Sequence, residues 1–326
     1  MPRPTRLRLS VPADFSLAQA VCSYGYFLLA PNRWRPGEQA YERRFQPAEL
    51  SVANPAGGNA HVFVSVVQPR GVGSPLAVRC DRALASAESV GLRRVLRRTL
   101  RLDTDLAAWF RRSATARRRG FGRLFRSPTL FEDMVKTITN CNVAWPSTVR
   151  MNRLLVDRLG DGAFPTPAQL ARLTPSRLKA RCGVGYRAKR IVGLARRFDS
   201  GDLDPAWFES PERSVDELRT AIRALDGFGP YATANVLQLL GHYEHLPIDT
   251  ETIRLFCKLT GTDRPSNDVH LHVAIERRYA RYGRHRFLAY WFELWRDYES
   301  MAGPSVEWDP DDVASRFTAS RLTQEG

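Results

Sequence analysis

The sequence predicts an α+β fold with a small antiparallel β-rich region at residues 1–112, a larger all-α region at 113–302 and a polar tail at 303–326. Three observations predict it. Short runs before Cys80 alternate apolar with polar residues, the apolar period becomes helical after Ala83, and the composition turns polar beyond Gly303. With 326 residues, 43% of them hydrophobic, the chain is long enough to bury two cores. No apolar run approaches the ~20 residues of a membrane span. The longest, Tyr24 to Ala30, is broken by Gly25 and ended by Pro31.

Taken in order, Arg6 to Val11 alternates as a strand does, and Asp14 to Ser23 reads as a short helix capped by Asp14. His61 to Gln68 and Leu76 to Cys80 read as further strands, separated from their neighbours by turn material at Asn54 to Asn59 and Arg70 to Pro75. Helical spacing then predicts Pro128 to Thr139, Ser147 to Leu159, Pro167 to Arg172, Pro175 to Arg181 and Tyr186 to Asp199. Val215 to Leu225, Tyr231 to Leu240, Thr250 to Leu259, Val269 to Tyr282 and Arg286 to Glu299 complete the helical part. The segment beyond Gly303 is expected to be unstructured or loosely docked.

Charge narrows the function. Lys and Arg number 49 against 34 Asp and Glu, a net +15 that calls for an anionic partner, with nucleic acid favoured over a membrane surface. The arginines between Arg93 and Arg126, including Arg117, Arg118 and Arg119, read as an electrostatic track for a phosphate backbone. The five cysteines lie far apart, without CxxC or zinc spacing, so no metal and no cofactor is expected. Arg3, Arg6 and Arg8 are followed by no secretory apolar stretch, which points to a cytoplasmic, nucleoid-associated protein.

The segment with most chemistry is Leu225-Asp226-Gly227-Phe228-Gly229-Pro230-Tyr231-Ala232-Thr233-Ala234-Asn235. One helix ends at Leu225, two glycines bracket Phe228, and a second helix starts with Pro230 in its first turn, leaving backbone amides for an anion such as a DNA phosphate. Downstream, Leu246-Pro247-Ile248-Asp249 puts a carboxylate where a helix cap belongs. A plain helical corner and a plain cap explain each piece alone.

Together these segments resemble the helix-hairpin-helix motif and catalytic aspartate of the HhH-GPD superfamily of base-excision DNA glycosylases, over about Arg126 to Met301. Pro128 to Asn142, Phe164-Pro165-Thr166-Pro167, Gly183-Val184-Gly185-Tyr186-Arg187-Ala188, and Tyr282-Gly283 with the aromatic helix follow in the family's order. The resemblance implies that Asp249 is the catalytic carboxylate, and that Gly227, Phe228, Gly229, Tyr231, Thr233, Asn140 and Asn142 meet DNA. Asn142, with Val143 and Asn140 beside it, would fill the gap left by an extruded base. Tyr231, Tyr290, Trp291 and Leu294 would form the base pocket. Double-stranded DNA is the implied partner and a monomer the implied state.

Departures from the family's pattern sharpen the expectation. Bifunctional members carry a Schiff-base lysine where this chain has Tyr231, so hydrolysis without lyase activity is expected, as in the 3-methyladenine glycosylase II branch. Tyr290 falls where the oxoguanine branch reads its base with glutamine, and the cysteines of the cluster-containing branches are absent. A damaged, alkylated purine is therefore the expected target. The alternatives are an oxidised purine of the 8-oxoguanine type, or a non-catalytic helix-hairpin-helix DNA-binding protein, which would have no need of a carboxylate at position 249.

Overall fold

The computed structural model describes residues 3–50, 61–263 and 269–309. The turn expected at Asn54 to Asn59 and most of the tail, from residue 310 onward, lie outside them. Five strands, β1 (Arg6–Leu9), β2 (Arg33–Arg35), β3 (Ala40–Phe45), β4 (Val62–Val67) and β5 (Leu76–Cys80), form one antiparallel sheet in the order β1-β5-β4-β3-β2. The α+β class holds: among the described residues the strands are confined to the first 80 positions, and helices follow.

The alternating runs became β1, β4 and β5, with Val62, Val64 and Val66 all inward. The unforeseen strands are β2 and β3. In β3 the inward set is Tyr41, Arg43 and Phe45, and the wholly buried Arg43 disguises the alternation as polar surface. The two terminal nitrogens of its guanidinium donate to Glu132 through two bonds of 2.9 and 2.7 Å, to Glu49 at 2.9 Å and to Asn32 at 2.9 Å, while among the described residues its Nε has no partner. Lys136 adds a contact to Glu132 at 2.7 Å, so the sheet is bolted to the helix Leu130–Asn140 by a closed charge network.

One expected cap moves. The first helix is Leu17–Val21, and Ser16 rather than Asp14 accepts from its Gln19 amide. Asp14 instead holds Arg123 through bonds of 2.9 and 3.0 Å, a charged partner worth more to a carboxylate than one amide. The expected helices are present with ends displaced by about two residues, which is the ordinary scatter of helix termini. A four-residue helix at Pro205–Phe208 was not foreseen.

Two hydrophobic cores result, and they do not follow chain order. The first joins the sheet, the helix Ser86–Thr99 and the closing helix Arg286–Ala302, from Leu9 through Phe125 and again from Leu239 to Trp308. Trp109 and Ala116, on either side of the expected 112/113 boundary, share it. The second core lies between, from Leu130 to Leu237. The seam between the cores is where the pocket described next opens.

The arginine stretch is largely consumed inside the fold. Arg101 donates to the carbonyls of Gln238 and Leu239 at 2.8 and 2.9 Å, and Arg126 joins it on Leu239 at 2.9 Å, so both cap the C-terminal end of the helix Pro230–Leu240. Arg98 bridges Asp133 and Glu209, Arg123 holds Asp14, and Arg119 meets Glu299. The continuous track expected from sequence is therefore reduced to a few outward groups, Arg94, Arg111, Arg112, Arg117 and Arg118 among them.

Candidate active site

The helix Thr250–Thr260 begins at Asp249, whose Oδ1 accepts from the Thr252 amide at 2.9 Å and from the Thr252 hydroxyl at 2.9 Å. That hydroxyl stands 2.9 Å from the Tyr290 phenol; with its own hydrogen on Asp249, the phenol is left to donate. Asp249 is thus a cap, as local mechanics requires, but it is also half-buried, and among the described residues no Lys, Arg or His pairs with it. Burial pushes its carboxyl above the usual aspartate range, the bonds from Thr252 pull it down, and the neighbouring charge of Glu251 pushes it further up. A sheltered carboxylate without a cation is a strong local source of negative potential.

Asp249 lines a cavity of about 200 Å³. Its walls bring together Asn140, Tyr231, Tyr290, Trp291 and Leu294 from the set that the sequence singled out. The closing helix presents Trp291, stacked between Phe287 at 5.7 Å and Trp295 at 5.6 Å, with its indole N–H on the Ser23 carbonyl at 2.8 Å. From the hairpin side, Tyr231 accepts from the Asn140 amide at 3.2 Å. Burial and the Asp249 charge raise the Tyr231 phenol well above its ordinary value, so it stays protonated.

Several wall residues were missed from sequence. Tyr24 and Tyr26 reach the cavity from the N-terminal region, Tyr24 bonded to Asn235 at 3.1 Å and tilted over Trp291 at 4.8 Å. Trp145, at the first turn of the helix Trp145–Leu159, lines the cavity with an indole N–H that has no hydrogen-bond partner among the described residues. Glu251 supplies a second carboxylate. The acid two residues after Asp249 was visible in the sequence, whereas nothing local marks Tyr24 as a neighbour of residue 291.

The hairpin divides its residues into an inner and an outer set. Gly227 has φ +91°, and a Cβ there would meet Arg190 Cδ at 2.5 Å. Phe228 is buried in the second core, and the buried Thr233 donates its hydroxyl to the Phe228 carbonyl at 3.2 Å. The expectation that Phe228 and Thr233 meet DNA directly is therefore corrected: both are turned inward and hold the turn. Gly229 keeps an ordinary φ of −68°, and a Cβ added there would meet nothing within 4 Å. It caps the helix Pro230–Leu240 without a side chain, and Gly229 and Pro230 are exposed, so the helix start faces outward with no side-chain cap among the described residues.

Asn142 is not among the residues that line the cavity; it lies between Asn140 and Val143, which do, and is exposed with φ +50°, a conformation Asn tolerates. The loop is pinned from below by Arg187, which donates to the carbonyls of Cys141 and, at 3.1 Å, Asn142. Next to Arg187 in the chain stands Tyr186, part of the Gly183 to Ala188 landmark, whose exposure the sequence did not reveal, with the guanidiniums of Arg187 and Arg190 at 4.6 and 5.2 Å from its ring centre.

No family model matches the sequence, and no curated protein matches it. Solved structures share the fold. A 3-methyladenine DNA glycosylase from Archaeoglobus fulgidus superposes with a TM-score of 0.63 at 17% identity, covering 90% of this chain and 99% of that one. The apo 8-oxoguanine glycosylase/lyase of Clostridium acetobutylicum gives 0.62 at 17% identity over 90% and 98%. The same enzyme in complex with DNA containing cytosine opposite 8-oxoguanine gives 0.61 at 14% identity over 92% and 100%. The chain therefore shares the overall fold of these solved structures over nearly its whole length, in keeping with the expected α+β architecture.

Proposed function

We propose that the protein is a monofunctional DNA glycosylase of base excision repair, hydrolysing the N-glycosidic bond of an alkylated purine flipped out of duplex DNA. The observation that carries this reading is Asp249, a sheltered carboxylate with no cation of its own, on the wall of an aromatic cavity next to a hairpin helix with no side-chain cap among the described residues. A cap needs none of those surroundings.

The chemistry follows from where charge moves. As the C1′–N bond lengthens, its electron pair goes to the base and positive charge develops on the sugar, where the Asp249 carboxylate stabilises it. Water adds to C1′ and gives its proton to that carboxylate. Thr252 and Tyr290 hold Asp249 in place. Asn142, between the cavity-lining Asn140 and Val143, would fill the stack from which the base has left, and the exposed Tyr186 would support the opposite side of the gap. Phosphates would dock on the outward start of the helix Pro230–Leu240.

The rings of Tyr24, Tyr231, Tyr290, Trp291 and Trp295 give the cavity electron-rich walls that favour a cationic, alkylated base. The absence of a lyase step is supported by the amines. Lys136 is wholly buried against Glu132, Lys258 pairs with Asp297 at 2.8 Å, and neither they nor Lys189 line the cavity. Incubation with a panel of duplexes carrying single alkylated or oxidised purines tests the reading. Release of an alkylated base is expected, leaving a strand cut only after hot alkali and no protein–DNA adduct trapped by borohydride. Release of no base from any duplex would refute it.

A further inference from the structure

Glu251 stands in the first turn of the helix Thr250–Thr260 and lines the same cavity as Asp249. Its Oε2 accepts from Arg254 Nε at 2.9 Å and from the Tyr298 hydroxyl at 3.1 Å, while among the described residues its Oε1 accepts from none. Arg254 also holds Asp297 at 2.8 Å, and with Lys258 on Asp297 the two cations balance the two carboxylates from the side away from the cavity. Lys258, the other cation on Asp297, is half exposed. Neither cation reaches the cavity wall, which contains two carboxylates, a set of aromatic rings and, among the described residues, no Lys, Arg or His. An acid in a helix's first turn is ordinary by itself. A carboxylate fixed by two donors on one oxygen, with the other oxygen unpartnered at the edge of a cavity, is placed to meet a ligand.

We propose that Glu251 is a specificity-determining residue that makes this cavity prefer a positively charged base over a neutral base of the same shape. The inference rests on the glycosylase reading for what enters the cavity, and it assigns Glu251 a part different from that of Asp249. Before cleavage the positive charge lies on the alkylated base, where Glu251 attracts it. During cleavage the charge passes to the sugar, where Asp249 acts. Glu251 therefore favours the bound ground state, and its loss weakens binding without slowing the chemical step.

The test uses the full chain and two duplex probes alike in shape. One carries N7-methylguanine on a 2′-fluoro sugar, which is cationic and resists cleavage; the other carries 7-methyl-7-deazaguanine, which is neutral. Wild type is expected to bind the cationic probe more tightly, and Glu251→Gln to lose about tenfold on that probe while changing less than about twofold on the neutral one. Glu251→Asp, which keeps the charge, is expected to retain most of the preference. In single-turnover release of N7-methylguanine, Glu251→Gln should raise the half-saturating concentration while the limiting rate does not fall and rises if the attraction is confined to the ground state. Equal binding of the two probes by wild type, or an equal loss on both in Glu251→Gln, would overturn the proposal. A wild type that discriminates between the probes yet releases no base would instead sink the glycosylase reading and leave Glu251's role standing.

Discussion

Glu132 and Asp249 are both carboxylates withdrawn from water, one at the junction of sheet and helix, the other on the cavity wall. Glu132 faces Arg43 and Lys136 at 2.7 to 2.9 Å; burial opposes its ionisation, yet those two charges hold its carboxyl down to about 2. Asp249 is steadied by Thr252 and by the Glu251 backbone amide, with no cation among the described residues, and its carboxyl is pushed up by burial. The fold closes one charge and leaves the other open. A closed network fixes a unique arrangement and has nothing left to offer a ligand, whereas an open carboxylate is destabilising unless something positive arrives.

The comparison can be broken first at the closed site. Glu132→Ala leaves Arg43 with Glu49 and Asn32 and, among the described residues, leaves Lys136 with no carboxylate partner, and it is expected to lose about 3–5 kcal/mol of stability in urea unfolding, or to fail to fold. A loss under about 1 kcal/mol would mean that the network is no bolt.

At the open site the sign reverses. Asp249→Asn keeps a cap that can accept from the Thr252 amide and removes the charge, so base release should fall about 10²- to 10³-fold. Because folding raises the Asp249 pKa, the folded state disfavours its ionised form, and at neutral pH that form detracts from stability. Asn should therefore melt at the wild-type temperature or slightly above it. A variant that lost activity and several degrees together would show Asp249 to be mainly structural.

What was legible in the sequence divides along the same line. Asp249, Tyr231, Tyr290, Trp291 and Asn140 could be found because the motifs that carry the family resemblance place them. Tyr24 and Trp145 were not found, because they reach the cavity through contacts across more than a hundred residues of chain. Strand β3 was lost because its buried Arg43 carries the signature of surface. The arginine stretch misled for the converse reason: composition counts charges, but only structure shows that Arg98, Arg101, Arg123 and Arg126 already hold carboxylates and helix ends.

The hairpin glycines offer a milder test of inward against outward duty. Gly227→Ala adds a Cβ against Arg190 at a positive φ, and it is expected to reduce stability by about 1–2 kcal/mol. Gly229→Ala meets no protein atom and should leave the melting temperature nearly unchanged while weakening duplex binding severalfold. Equal stability losses from the two would erase the division.

The smallest effect separates the two carboxylates by pH. The working form of Asp249 is the anion, so the rate should fall as pH drops through its raised pKa, an acid limb lying above that of an ordinary aspartate at about 3.9. Glu132 behaves oppositely: its folded pKa of about 2 lies below the unfolded value near 4.5, so its contribution to stability is whole above that unfolded value and disappears only as pH falls toward 2. Activity should therefore be lost at a pH where the fold, followed by circular dichroism, is still intact. Removing the neighbouring charge in Glu251→Gln should let Asp249 ionise more readily and move the activity limb to lower pH by a fraction of a unit, while the unfolding limb stays where it was. A shift of both limbs together would mean that the open and the closed carboxylates titrate as one system, and the distinction between them would fail.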